Sequence, residues 1–316
     1  MQCHRILRVA VLAGMLLAPA LLRGAEPDWV TLRGSSGPLL RYNAAYVESP
    51  QANAPWYGRS GFIHPVYTPA GRIVTDDFPA DHLHQHGLMF AWTSARIDGR
   101  HVDFWNSGQR SGIVEHVETV QADEDSLSVK LRHIDPTVQP PQVVLQETWQ
   151  IRRVEHPSMN VFDLVSTQQC VMDRPLQIAE YHYGALCVRG AAAWMDGRAT
   201  MQTSEGKDRA AGNHSRPNWV AMVGEVDGAA CGIAAFGHPD NFRAPQPVRL
   251  HPEMPYFCFA PMVGGDFAIA PGEDYVSRFR FAAFDGPLNP EQLDLLWNEF
   301  AADARGETQA ERRSNR

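Results

Sequence analysis

The chain has 316 residues and only two lysines, Lys130 and Lys207, so nearly all of its positive charge is arginine. None of its five cysteines forms a C-x-x-C pair, which excludes a zinc ribbon or a thioredoxin-type motif. P-loop, G-x-G-x-x-G and G-x-S-x-G motifs are absent, as are internal repeats, so phosphate-cradle and serine-nucleophile chemistry have no support. Beyond the first two dozen residues no run approaches the ~18 apolar residues of a membrane helix. The formal charge of -8 argues against nucleic acid or an anionic membrane as a partner.

The N-terminus reads as a secretory leader over residues 1–25. Arg5 and Arg8 form a basic region, Val9 to Leu22 an apolar one broken only by Gly14 and Pro19, and cleavage is expected near Ala25-Glu26 despite Arg23. Cys3 precedes the apolar run, so it is not a lipoprotein-type anchor. Losing the three leader arginines takes the charge from -8 to -11. A periplasmic or secreted protein is expected. Export permits a disulfide among Cys170, Cys187, Cys231 and Cys258, but their apolar settings favour buried free thiols.

Period-2 alternation dominates the chain after the leader. Leu127/Val129/Leu131 and Val143/Leu145/Glu147/Trp149/Ile151 are strand patterns, and Trp219–Val226 meets Ala229–Phe236 across an Asp227-Gly228 hairpin turn. The only helix signal is C-terminal: Asn289 as cap, Pro290 at the first position, then Leu293, Leu296, Trp297 and Phe300 as an apolar stripe. The expectation is mainly β: one large antiparallel β-sandwich (supersandwich-like) over residues 26–303, with one C-terminal helix and a disordered tail at 304–316. The polar stretch Ala191–Asn218 is expected to be a long excursion or lid.

The densest chemistry lies between His64 and Gly87. In Asp81-His-Leu-His-Gln-His-Gly87 the histidines occupy every second position, so on a strand His82, His84 and His86 would face one pocket. Asp76, Asp77 and Asp81 add carboxylates, and the set suits either acid/base work near neutral pH or a divalent metal site. The alternative is a polar loop whose histidines bond to backbone. Glu180 and His182 share a face if Leu176–Arg189 is one strand; a polar-faced hairpin strand is the bland alternative. Trp105 and Asn106 suit a sugar-binding rim, a flat apolar ring beside an amide, against a surface aromatic packed on its loop. Glu147 is a lone carboxylate on an apolar face, either lining a concave site or reaching solvent. His64, Asp81, His116, Arg189, and His238 with Asn241 in a turn-prone stretch complete the candidate binding residues.

Three blocks carry a resemblance. His64-Pro-Val-Tyr-Thr-Pro-Ala-Gly71 with Val74-Thr-Asp-Asp-Phe-Pro-Ala-Asp-His-Leu-His-Gln-His-Gly-Leu88, then Phe104-Trp105 and Tyr183-Gly184 with Arg189, then Gly237–Asn241, resemble in the same order an exported bacterial family of unknown function labelled PmoA-like. This chain departs from that family's commoner Asp-His-Pro-His-His-Arg-Gly form at Leu83 and at Gln85-His86. The label's methane monooxygenase reading requires a multi-span membrane protein, and no span follows the leader. The resemblance implies a sandwich similar to galactose-mutarotase-like proteins and a small-molecule or oligosaccharide ligand. A sugar-processing enzyme of hydrolase, lyase or epimerase type is therefore expected. His82, His84 or His86 would be acid/base, with Glu180 or Glu147 as carboxylate partner, Arg189 and Asn241 orienting substrate and Trp105 stacking. The alternatives are a divalent-metal enzyme ligated by His82, His84 and His86, and a non-catalytic carbohydrate-binding module.

Overall fold

The computed structural model describes residues 27–314, with side chains to residue 302, so the leader lies outside the described residues. The protein is mainly β, with three antiparallel sheets of eight, seven and four strands and one long C-terminal helix. The eight-stranded sheet is a meander of the long alternating segments. Ile113–Ala122, Ser126–Asp135, Gln142–Val154 and Met159–Cys170 pair in succession; Asp274–Asp285 then joins them to Ala229–Gly237, Trp219–Val226 and Ala199–Thr203. In Gln142–Val154 the residues Leu145, Glu147, Trp149 and Ile151 are buried and Gln146, Gln150 and Arg152 exposed, as period 2 requires. The hairpin turns at Asp227 and Gly228, both with positive φ (52° and 73°), as a tight two-residue turn needs.

The seven-stranded sheet contains Trp29–Arg33, Pro38–Asn43, Phe62–Val66, Leu88–Ala91, Ala185–Arg189, Tyr256–Phe259 and Val248–Leu250. One of its faces packs on the eight-stranded sheet. The Phe259 and Phe279 rings meet at 5.3 Å, and Trp92 Nε1 donates to Gln168 Oε1 at 2.6 Å. Alternation then puts Cys187 and Arg189 on the opposite face. The register carries Tyr256, Cys258 and Arg249 with them, because Cys187 pairs with Cys258, Arg189 with Tyr256, and Arg249 with Cys258. All four described cysteines are buried and free.

Leu176–Arg189 is not one strand. Leu176–Ile178 belongs to the four-stranded sheet and Ala185–Arg189 to the seven-stranded one. The break falls where Gly184 (φ 143°) and Ala185 (φ 64°) leave extended geometry and Thr93 Oγ1 donates to the Tyr183 carbonyl at 2.5 Å. Nor is Ala191–Asn218 a lid. It buries Trp194, supplies an edge strand to the eight-stranded sheet, and makes a short helix capped by Asp208.

The C-terminal helix Pro290–Ser314 starts with Asn289 Oδ1 accepting from Gln292 N, as its cap sequence implies. Leu293, Leu296 and Phe300 pack with Trp219, Phe236 and Ala282 into a second apolar cluster. Such side chains each contribute about 1.5–3 kcal/mol on burial. Helical backbone continues to Ser314, into the stretch expected as a tail.

Candidate functional site

The segment that carries the histidines is a series of turns rather than a strand. His82 N donates to Pro79 O and Gln85 N to His82 O, both at 2.9 Å. The segment is tied to the end of the strand Ala185–Arg189 by Arg189 N to Gly87 O and Asp76 N to Arg189 O. Gly87 (φ 41°) makes the close approach possible, since a Cβ there would collide with the Ile63 carbonyl oxygen. The three imidazoles therefore do not share one strand face, and each has its own setting.

His82 belongs to a relay. Arg189, fully buried, donates from Nη2 to Asp81 Oδ1 at 2.9 Å and from Nη1 to Asp81 Oδ2 at 3.1 Å and to Gln85 Oε1 at 3.0 Å. Asp81 Oδ2 in turn meets His82 Nδ1 at 3.0 Å. Burial pushes the Asp81 carboxyl up, but Arg189 and His82 outweigh it and hold it below its ordinary value. With Nδ1 committed to the carboxylate, His82 presents Nε2, which has no hydrogen bond within the described residues.

Around His82 stand rings from other elements. His84 lies edge-on at 5.3 Å and His251 at 6.1 Å, and His251 packs on Tyr256 at 5.2 Å. His251 Nδ1 accepts from Met254 N at 3.0 Å and Glu253 N at 3.2 Å, so its proton resides on Nε2 and the ring is a neutral donor. Burial, then Arg249 and His82, push His251 down to about 4. Burial, then His82, His86 and Arg189, push His84 down to about 3. Trp105 and Tyr256 lie 6.3 Å apart and Trp105 and Tyr183 5.5 Å, and Tyr183 continues to His182 and Tyr181 at 4.7 and 5.0 Å. Arg249, His251, His214, Tyr256 and the Asp81–Arg189 pairing were missed in the sequence. The first three sit on or beside a three-residue edge strand too short to show a period.

Other expected site residues are elsewhere or already engaged. His86 is buried between Phe62 and Phe78, with Nδ1 2.7 Å from Asp77 Oδ1. With His84, Arg59 and Trp105 it lines a cavity of about 40 Å³, room for a water. Trp105 is 1% exposed and so is no rim aromatic. Asn106 is spent on Asp103 Oδ2 (2.8 Å) and on the Tyr183 hydroxyl, which donates to it at 3.0 Å. Glu180 is exposed, its backbone N held by Asp266, and it partners none of the histidines. His182 is exposed in the connection before Gly184 rather than on a strand; burial and Arg249 lower it.

Glu147 lies inside the sandwich. It accepts from His133 Nε2 (2.8 Å), Trp149 Nε1 (2.7 Å), Ser166 Oγ (2.5 Å) and Gln168 Nε2 (3.0 Å), a set that outweighs burial and keeps its carboxyl low. Arg189 is fully buried and spent on Asp81 and Gln85. His116 meets the Tyr42 hydroxyl at 3.0 Å, and His64 the Thr75 hydroxyl at 3.0 Å, burial lowering His64 to about 4. His238 and Asn241 belong to the cluster under the C-terminal helix: His238 packs on Phe300, and Asn241 brackets Arg278 N and O. They do not join His82.

Among the described residues no group of three or more His, Cys, Asp or Glu is placed to hold a metal ion. The expected triad fails because the turn separates its members and Asp81 and Asp77 take Nδ1 of His82 and His86.

The chain belongs to the family of unknown function DUF6807, which matches residues 30–298. None of the curated proteins matches it. Among solved structures it is similar to a putative aldose 1-epimerase from Escherichia coli K12, at 12% identity and TM-score 0.48 over 81% of this chain and 98% of that one. It is also similar to a galactose mutarotase related enzyme from Lactobacillus acidophilus, at 9% identity and TM-score 0.43 over 82% of this chain and 100% of that one. Likeness at this level assigns no activity, and the chemistry rests on the residues above. Among the described residues no helix is long and apolar enough to cross a membrane.

Proposed function

We propose that this is an exported carbohydrate-active protein, a sugar-processing enzyme in which His82 exchanges a proton with one sugar oxygen while His251 donates a hydrogen bond to another. One observation carries the reading: His82, fixed at Nδ1 by Asp81, offers an acceptor at Nε2, while His251, fixed at Nδ1 by two backbone amides, offers a donor at Nε2. The ring centroids are 6.1 Å apart. His82 takes a hydroxyl proton while His251 holds the oxygen that leaves the same carbon with a hydrogen bond from Nε2, that oxygen taking its proton from water; attack on the other face of the carbonyl formed, with the proton returned to water and His82 giving back its own, completes an epimerisation. An imidazole suits the role of base near neutral pH, and a neutral one the role of hydrogen-bond donor.

Tyr181 and Tyr183, half-buried, supply ring faces and hydroxyls suited to a polyhydroxylated ligand. Two-carboxylate hydrolysis fits less well: Asp81 is held by Arg189, Glu180 stands apart and Glu147 is inside the core. Export follows from the leader at residues 1–25 and agrees with the motif resemblance to exported proteins.

The test is an NMR panel of reducing sugars and oligosaccharides with the mature protein, following anomer exchange, cleavage and elimination. Turnover that falls about 10²–10⁴-fold in His82→Ala supports the reading. Binding without turnover makes the protein a non-catalytic binding module, and neither binding nor turnover removes the sugar reading altogether.

A further inference from the structure

We infer that the site takes an acidic sugar, and that Arg249 is the residue that recognises its carboxylate; this rests on the sugar reading above. Arg249 is half-buried on the edge strand Val248–Leu250 and makes no ion pair among the described residues. Its one hydrogen bond runs from Nη1 to Asn213 Oδ1 at 3.3 Å, and its Nε is buried with no partner. A guanidinium that is partly desolvated, close to His251 and without a counter-ion, is a half-made carboxylate site.

The groups nearest His251 and His182 are basic. Arg249, His82, Arg209 and Arg189 lie close enough to His251 to lower it, and Arg249 and His214 do the same to His182. Arg209 is neutralised by no acid either, since it donates to the carbonyls of His251, Met254 and Ala199. Asp81, the acid beside His82, is already paired with Arg189. In a chain of formal charge -8, Arg249 and Arg209 thus stand without an acid partner among the described residues. A carboxylate on the sugar would meet Arg249 while its ring lies against the tyrosines. The geometry of a planar guanidinium matches a carboxylate through two parallel N–H donors, which a neutral hydroxymethyl group cannot use.

The experiment compares binding of galacturonate and glucuronate with galactose and glucose by NMR titration, in the wild-type mature protein and in Arg249→Met and Arg249→Lys. Circular dichroism confirms that the variants fold. The expected result is a preference for the uronates of about ten- to a hundred-fold in wild type, falling in Arg249→Met by that factor relative to any change for the neutral sugars. Arg249→Lys should restore part of it. Equal binding of acidic and neutral sugars, or an equal effect of Arg249→Met on both, overturns the inference and leaves the sugar reading standing. Galactose 6-sulfate bound in preference to both uronates overturns the carboxylate assignment in favour of a sulfate ester. Acetate or sulfate ions shifting the Arg249 resonances while no sugar binds supports the anion subsite and removes the sugar reading.

Discussion

Arg189 and Asp81, 108 residues apart in sequence, meet in a two-pronged ion pair whose guanidinium is wholly enclosed and whose carboxylate side chain is 19% exposed. The pair joins a core strand to a surface turn, and the turn carries the imidazole proposed to move the proton. Removing one partner of such a pair strands the other charge, and the loss exceeds what the intact pair contributes.

Asp81→Asn should therefore destabilise the fold by about 3 kcal/mol, near the lower end for a buried pair because the carboxylate touches solvent. It should also free His82 from its orientation. Chemical denaturation reads the first effect and sugar turnover the second. An unchanged denaturation midpoint would show that Gln85 alone satisfies Arg189.

Stability should fall with acid earlier than carboxylates alone would dictate. His84 and His64 are held near 3 and 4 in the fold, below their ordinary 6.5. Folding favours their neutral forms, so that contribution is complete above about pH 6.5 and is lost as pH drops toward the folded values. Between pH 6.5 and 4 each should cost about 1.4 kcal/mol per pH unit. Denaturation midpoints measured from pH 8 to 4 test this; a flat profile down to pH 5 would contradict it, and His84→Asn should make the profile shallower.

Gly87→Ala should destabilise by about 2 kcal/mol or more, since it puts a Cβ against backbone at a positive φ. The damage should concentrate on the histidine turn. Amide exchange should accelerate at Gln85 and Gly87 well before it does in the strand Met159–Cys170.

Much of the fold was legible because alternation is a local signal. Leu145, Glu147, Trp149 and Ile151 declared their shared face, Asp227-Gly228 its hairpin, and Asn289-Pro290 its helix start. The site was less so. Pro79 and the carbonyl acceptors around His82 bend the chain into turns, and a period-2 spacing of histidines cannot distinguish that from a strand. Trp105 looked like a rim residue because only the packing of its neighbours decides whether a loop aromatic faces water. His251 did leave a trace. His251-Pro-Glu-Met254 repeats the form of His156-Pro-Ser-Met159, and in both the imidazole Nδ1 accepts from the backbone N–H groups two and three residues on.

Glu147→Ala should destabilise by about 3 kcal/mol or more, because it leaves His133, Trp149, Ser166 and Gln168 without their shared acceptor. Affinity for any sugar should not change, since Glu147 is enclosed in the core with all its donors inside the eight-stranded sheet. A lost affinity with intact stability would put the carboxylate back in the site.

That same carboxylate also encodes an address. Its donors come from its own strand and the two that flank it, and Trp92, beside the neighbouring sheet, joins through Gln168. If Gln142–Val154 slid by one residue, Glu147 would turn to water and Gln146 or Thr148 would face donors neither can satisfy together. Apolar residues tolerate near-equivalent pairings; a single acid surrounded by four dedicated donors does not. The long meander therefore has one alignment that can close, and the sheet that presents the imidazoles inherits its position from it.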